Sequence, residues 1–184
     1  PDLLEVIAAL RKRFSGFMGY EDDAPAHGRG RVLPTPEGDA LAVGVIPPGA
    51  VRRVVARVFD EDEFLSPHGL RALSRYHLEH PLSVNLGGSV VSVDYEPAES
   101  RTGMFGGNSN WRGPIWMPVN YLLIEALREY GAFFGNDLLV EYPTGSQQKM
   151  PLADVADDLS RRLISLFTPD AEGRRPIYGA NRIL

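Results

Sequence analysis

The chain of 184 residues contains no cysteine. A disulfide framework, a thiolate metal site and a cysteine nucleophile are therefore ruled out. No apolar run is long enough to span a membrane, and no stretch has the regions of a signal peptide, so cytoplasm is the expected location and no membrane partner is expected. Basic residues are also in deficit. With 19 Lys and Arg against 24 Asp and Glu, the net charge is −5. That is the wrong sign for nonspecific nucleic-acid binding, which needs a basic face. What is left is ordinary globular composition, 43% hydrophobic and 23% charged, in a chain long enough for one domain with a core.

Tryptophan is scarce as well, with only two residues, and both fall in the run Asn110-Trp111-Arg112-Gly113-Pro114-Ile115-Trp116. Two flat rings, each with a broad apolar face and one N–H donor, flank a planar cation that presents a rigid fork of donors. Gly113-Pro114 imposes a bend that a plain helix or strand would not need. A glycine-rich approach, Gly103-Met104-Phe105-Gly106-Gly107-Asn108-Ser109, precedes the run. A tryptophan in a helical protein usually belongs to the core. Here Asn110, Arg112 and the nearby glycines suit a sugar-recognising surface better than a core segment.

Helical periodicity predicts four helices. The first covers 2–14 with Leu3, Val6, Ile7, Leu10 and Phe14 at helical spacing. Residues 16–44 are rich in Gly and Pro without a clear period, and Gly28-Arg29-Gly30-Arg31 reads as a flexible basic loop rather than a phosphate cradle. Pro47-Pro48-Gly49 opens a second helix with Val51, Val54, Val55, Val58 and Phe59 on one face. It should end near Asp60, because the acidic run 60–63 opposes the helix dipole. Ser66-Pro67-His68-Gly69 reads as a turn, and the alternation around Asn85-Leu86-Gly87-Gly88 as a small β-hairpin. The third helix covers 118–134, started by Pro118 and ended by Gly131 and Gly135. After a polar loop over 142–149, the last helix covers 151–167, with Asp157–Arg161 and Asp158–Arg162 as expected i,i+4 pairs. There is no internal repeat. The reading is mainly α, with long loops carrying the chemistry-bearing residues ahead of helix N-termini.

Candidate chemistry is sparse. Glu96 and Glu99 could form the carboxylate pair that glycoside hydrolysis needs, but pairing with Arg101 and Arg112, or capping helices, fits them better. A contact from Glu99 to a substrate hydroxyl is more plausible than catalysis by it. His77 and His80 stand at i,i+3, which a helix could aim at one metal. No third ligand follows at a recognisable spacing, so a structural role is preferred. Ser66, Ser74 and Ser109 lie in no nucleophile-elbow pattern, and His68 beside Ser66 does not make a triad. No metal or cofactor is indicated.

The run Trp111-Arg112-Gly113-Pro114-Ile115-Trp116, followed by Val119-Asn120-Tyr121-Leu122, closely resembles a stretch of glycoside hydrolase family 63. That family takes in processing α-glucosidases of the mannosyl-oligosaccharide type and bacterial mannosylglycerate or glucosylglycerate hydrolases. Gly69-Leu70-Arg71-Ala72-Leu73 resembles another segment of it. The stretches 94–109 and Gly173-Arg174-Arg175-Pro176 are similar to a bacterial branch of long members. The likeness covers roughly 50–179. It implies part of an (α/α)6 toroid that hydrolyses α-glycosidic bonds with inversion, its two carboxylates roughly 6.5–9.5 Å apart. By the resemblance, the general acid belongs upstream of Pro1 and the general base beyond Leu184, so no catalytic residue is assigned within the chain. Trp111, Arg112 and Trp116 would line the sugar pocket, Arg71 and Asn120 would lie near it or support it, and Asn110 and Glu99 are weaker candidates.

The whole chain, 1–184, is accordingly expected to be a single partial domain of a larger catalytic domain. A helical pattern that starts at Pro1 and a stop at Leu184 agree with a piece of a longer enzyme better than with a trimmed complete domain. Its expected partners are the rest of that catalytic domain and a carbohydrate substrate, α-linked glucosides or mannosides of the oligosaccharide or glycosyl-glycerate type. Two alternatives remain: a trehalase-like or debranching toroid glycosidase, and a noncatalytic carbohydrate-binding or scaffold helical domain.

Overall fold

The computed structural model of the chain describes residues 30–35, 38–43, 46 and 48–179. The helix expected over 2–14 and residues 28 and 29 of the expected basic loop lie outside these residues, while Gly30 and Arg31 belong to a strand. Two compact units divide the chain, Pro1–Arg52 and Arg53–Leu184.

The first unit holds an antiparallel hairpin of β1 (Gly30–Thr35) and β2 (Gly38–Val43), paired from Gly30↔Val43 to Thr35↔Gly38. Within the stretch 16–44 expected to be aperiodic, the described residues 30–35 and 38–43 are paired strands instead. Pro34 hid the strand, because a residue without an N–H weakens any strand reading. It sits opposite Asp39 in the ladder.

Helix α1 spans Pro48–Val58. Its buried positions are Val51 and Val55, with Phe59 just after it, whereas Val54 is exposed. The helix ends where the acidic run begins, as the dipole argument requires. The run is a turn in which Glu63 N–H and Leu65 N–H donate to Asp60 O at 3.1 and 2.9 Å. Thr144 then covers the helix end, its hydroxyl donating to Ala56 O at 2.7 Å and its N–H to Phe59 O at 3.0 Å. Carbonyls that a helix end leaves without partners are satisfied in this way.

The turn expected at 66–69 closes a short ladder of β3 (Leu65–Ser66) and β4 (Gly69–Leu70). The hairpin expected around 85–88 is formed by β5 (Leu82–Leu86) and β6 (Ser89–Val93). Helix α2 spans Met117–Phe134, and α3 spans Leu152–Ser165. Between them β7 (Leu139–Glu141) pairs with β8 (Lys149–Pro151), a ladder the polar loop concealed because each strand has only three residues. Among the described residues there are thus three α-helices and four two-stranded antiparallel ladders, where one hairpin was expected. None of these helices is long and apolar enough to cross a membrane.

The core of the second unit joins Phe59, Leu65, Leu70, Ile124, Leu127, Leu138, Leu152, Val155 and Leu159. Gly131 has a different role from the helix-ending one expected. A Cβ there would stand 2.8 Å from Ala153 N, so the glycine lets the start of α3 press against α2. Gly135, at φ 54°, is the residue that ends α2. At the core edge the rings of Phe59 and Tyr142 meet edge to face, centroids 5.1 Å apart. The Tyr142 hydroxyl donates to Asp158 Oδ2 at 2.6 Å, and Arg162 Nε donates to the same oxygen at 2.8 Å. Burial, followed by the hydrogen bond to Asp158, pushes the Tyr142 phenol above its usual range. Burial works against the charged form of Asp158, yet the hydrogen bonds from Tyr142 and Arg162 and the Arg162 charge hold its carboxyl below the usual range. The expected Asp158–Arg162 pair is therefore present. Asp157 instead faces Arg128 at 3.6 Å, and Arg161 joins Asp158 at 3.4 Å.

Candidate functional site

The loop between β6 and α2 carries the tryptophan run, and it is built around one ion pair. Arg112 is 1% exposed and Glu96 3% exposed, and Arg112 Nη1 lies 2.7 Å from Glu96 Oε2. Their backbones are joined as well, Glu96 N–H donating to Arg112 O at 2.6 Å. The guanidinium also donates to Thr102 Oγ1 at 3.1 Å and to the Ser100 hydroxyl. Arg101 closes the other side of Glu96, with its N–H and its Nε each 3.2 Å from a carboxylate oxygen. Buried charge is tolerable only when paired and hydrogen-bonded in this manner. One donor, Arg112 Nε, is buried without a partner.

The loop is then tied to its neighbours. Gly113 has φ +124°, and a Cβ there would fall 2.4 Å from the Tyr95 ring, so only glycine fits between that ring and the bend. Ala72 N–H donates to Pro114 O at 2.9 Å, and Arg71 forms an antiparallel bridge with Ile115. The Arg71 side chain turns away from this bridge and donates to Glu61 O at 3.2 Å, Glu63 O at 3.3 Å and Leu65 O. Asn120 is fully buried at the start of α2. Its amide accepts from Leu70 N–H at 2.8 Å and donates to Leu70 O at 2.9 Å and Trp116 O at 3.0 Å. Gly69 makes room for it, since a Cβ at Gly69 would come within 3.0 Å of Asn120 Oδ1.

This framework presents the two tryptophans. Trp111 is 55% exposed, Trp116 is half-buried, and their rings meet edge to face, centroids 4.2 Å apart at 71°. Asn110 is half-buried, its N–H donating to Asn108 Oδ1 at 2.7 Å in a tight turn. Glu99 is exposed. The structure therefore brings Trp111, Trp116, Arg112 and Asn110 into one loop, while Arg71 and Asn120 stand behind it. Glu96 is engaged with Arg101 and Arg112, as the non-catalytic reading of that residue expected. Sequence reasoning passed over Phe105, Ser100, Thr102 and Tyr95. The one available signal was Phe105-Gly106-Gly107, a run whose backbone takes positive φ throughout.

The histidines are engaged elsewhere. His77 Nδ1 lies 2.9 Å from His80 O, and His80 stacks on Tyr76 at 4.1 Å. The His68 imidazole lies with Nδ1 2.8 Å from Ser165 Oγ, and His68 meets Ser66 only through its backbone N–H, which donates to Ser66 Oγ at 3.3 Å. Among the described residues no group of three or more His, Asp or Glu could hold a metal ion.

No family model matches the chain. It is 39% identical over 178 residues to an uncharacterized protein of Saccharomyces cerevisiae, YMR196W, a match covering 97% of this chain and 16% of that protein. It is 34% identical over 93 residues to the mannosyl-oligosaccharide glucosidase of the same yeast, a match covering 49% of this chain and 8% of that enzyme. The chain thus spans a small part of the length of both relatives. At a coarse level the second match points to a glycosidase-like relationship. Both relatives are yeast proteins, and neither supports the bacterial branch.

Proposed function

We propose that this chain is part of an inverting glycoside hydrolase resembling family 63, acting on α-linked glucosides or mannosides, and that the loop 94–116 forms one wall of its sugar pocket. The observation that carries the reading is an edge-to-face tryptophan pair whose Trp111 ring is exposed, in a chain similar over about half its length to a mannosyl-oligosaccharide glucosidase. In this reading Trp111 and Trp116 offer apolar faces to the C–H surfaces of a pyranose. Asn110 and Glu99 meet its hydroxyl rim. Arg112 lies beneath the wall rather than on its surface, acting through the buried pair with Glu96 that orders the loop. Arg71 and Asn120 support the wall. The proton-transfer carboxylates belong to other parts of the longer protein, within an (α/α)6 toroid, and the expected setting is the cytoplasm.

Exposed apolar surface supports the view that the chain, as a single partial domain, needs the rest of such a catalytic domain as its partner. Leu82, Val84 and Leu86 share one face of the β5–β6 hairpin with Val91, and all four are exposed. Tyr121 and Leu122 on α2 and Ile164 on α3 are exposed too. The four side chains on one hairpin face make an exposed apolar patch of the kind that marks an interaction surface. The reading is tested by assaying the full-length protein on α-glucosides, α-mannosides, glycosyl-glycerates and trehalose. Release of the β-anomer from an α-glucoside or α-mannoside, with little action on trehalose, is expected. Preference for trehalose would favour the trehalase-like alternative, and sugar binding without turnover the noncatalytic one.

A further inference from the structure

We infer that Phe105 is a second aromatic platform of the same site, stacking on the sugar unit next to the one held by Trp111 and Trp116. The inference rests on the proposed carbohydrate pocket. Phe105 is 52% exposed, so burial does not account for its ring. Its backbone is left-handed, at φ 53° and ψ 33°, and Gly106 and Gly107 continue with φ 70° and 78°. A bulky side chain is an outlier in that region, where glycine is the undemanding choice. Glycine occupies the next two positions, so the aromatic at 105 is an exception within its own turn. Such outliers concentrate at ligand clamps.

Its placement connects it to the tryptophans. The Phe105 ring centroid lies 5.9 Å from Arg112 Cζ, and Arg112 is the chain neighbour of Trp111. The buried Glu96–Arg112 pair, whose arginine is next to Trp111 in the chain, therefore lies against the Phe105 ring. A Cβ placed on Gly103, Gly106 or Gly107 would meet nothing within 4 Å, so the loop faces open space of the kind a ligand could fill. Two exposed rings carried by one loop, Phe105 and Trp111, suit an extended ligand of linked pyranoses, each with one apolar C–H face and a polar rim.

The test compares Phe105→Gly and Phe105→Tyr in the full-length protein on two kinds of substrate. α-Glucosyl and α-mannosyl fluorides carry one ring, and α-linked di- and trisaccharides of glucose and mannose carry more. Phe105→Gly removes the ring and frees the turn from its left-handed constraint. It should lower kcat/KM on the oligosaccharides about tenfold, mainly through KM, and leave the fluorides within about twofold. Its Tm should stay the same or rise, and Phe105→Tyr should retain the oligosaccharide rate. Oligosaccharide kcat/KM unchanged in Phe105→Gly, while Trp116→Ala is impaired, would overturn the inference and leave the pocket standing. A fall in Tm in Phe105→Gly would make the ring structural and overturn it too. Loss of both effects would remove the pocket and this inference together.

Discussion

The chain holds two polar networks that share a composition and differ in what surrounds them. Asp158, Tyr142 and Arg162 sit at the edge of an apolar core made by α1, α2 and α3, with Tyr142 buried and the charged pair Asp158 and Arg162 partly open to solvent. Glu96 and Arg112 sit in a loop that contributes no side chain to the buried apolar core, yet they are almost completely enclosed. At the core edge, packing already fixes the backbone, and the network adds orientation. In the loop the ion pair is itself the centre around which Ser100, Arg101 and Thr102 are ordered. The loop that presents Trp111 to solvent has no apolar interior of its own, and a charged centre replaces one.

The comparison is broken most sharply by Glu96→Gln, which leaves the Arg112 guanidinium buried without its counter-charge. A cost of about 3–5 kcal/mol is expected, read as a drop in the unfolding midpoint and as faster proteolysis within 94–116. Asn120→Ala comes next. It strips partners from both Leu70 backbone groups and from Trp116 O, and about 2–3 kcal/mol of stability should be lost. Asp158→Asn tests the other network, with about 1 kcal/mol expected. Because the folded-state carboxyl of Asp158 is held below its usual value, its contribution is present above the unfolded pKa of about 4 and is lost as pH falls through the folded value. The decline in Tm on acidification should therefore be shallower in Asp158→Asn than in the parent. Arg101→Ala, which removes only the exposed partner of Glu96, should cost less than about 1 kcal/mol. A cost as large as that of Glu96→Gln would mean that Arg112 is not the principal partner.

How much of this was legible in the sequence follows from where the information lies. Helices α1, α2 and α3 were visible because an apolar stripe at helical spacing is a local pattern. The β5–β6 hairpin was visible through Gly87-Gly88 between alternating residues. The β1–β2 hairpin was hidden by Pro34, and β7–β8 by the shortness of its strands. The face of α2 that packs is narrower than its apolar content suggests, since Val119 and Leu122 are exposed. The tryptophan run could be located because residue type alone marks it. The inward turn of Arg112 could not be foreseen, because the enclosure of its partner Glu96 depends on how 94–112 closes on itself. The same holds for Gly131, whose neighbour Ala153 is distant in sequence.

The most direct test of the central claim is kcat/KM of the full-length protein on an α-linked glucose or mannose oligosaccharide, measured for Trp116→Ala beside the parent. The Trp111–Trp116 pair predicts a loss of about tenfold or more with the fold retained. An unchanged kcat/KM in a fully folded Trp116→Ala would contradict the assignment of this loop as a wall of the sugar pocket.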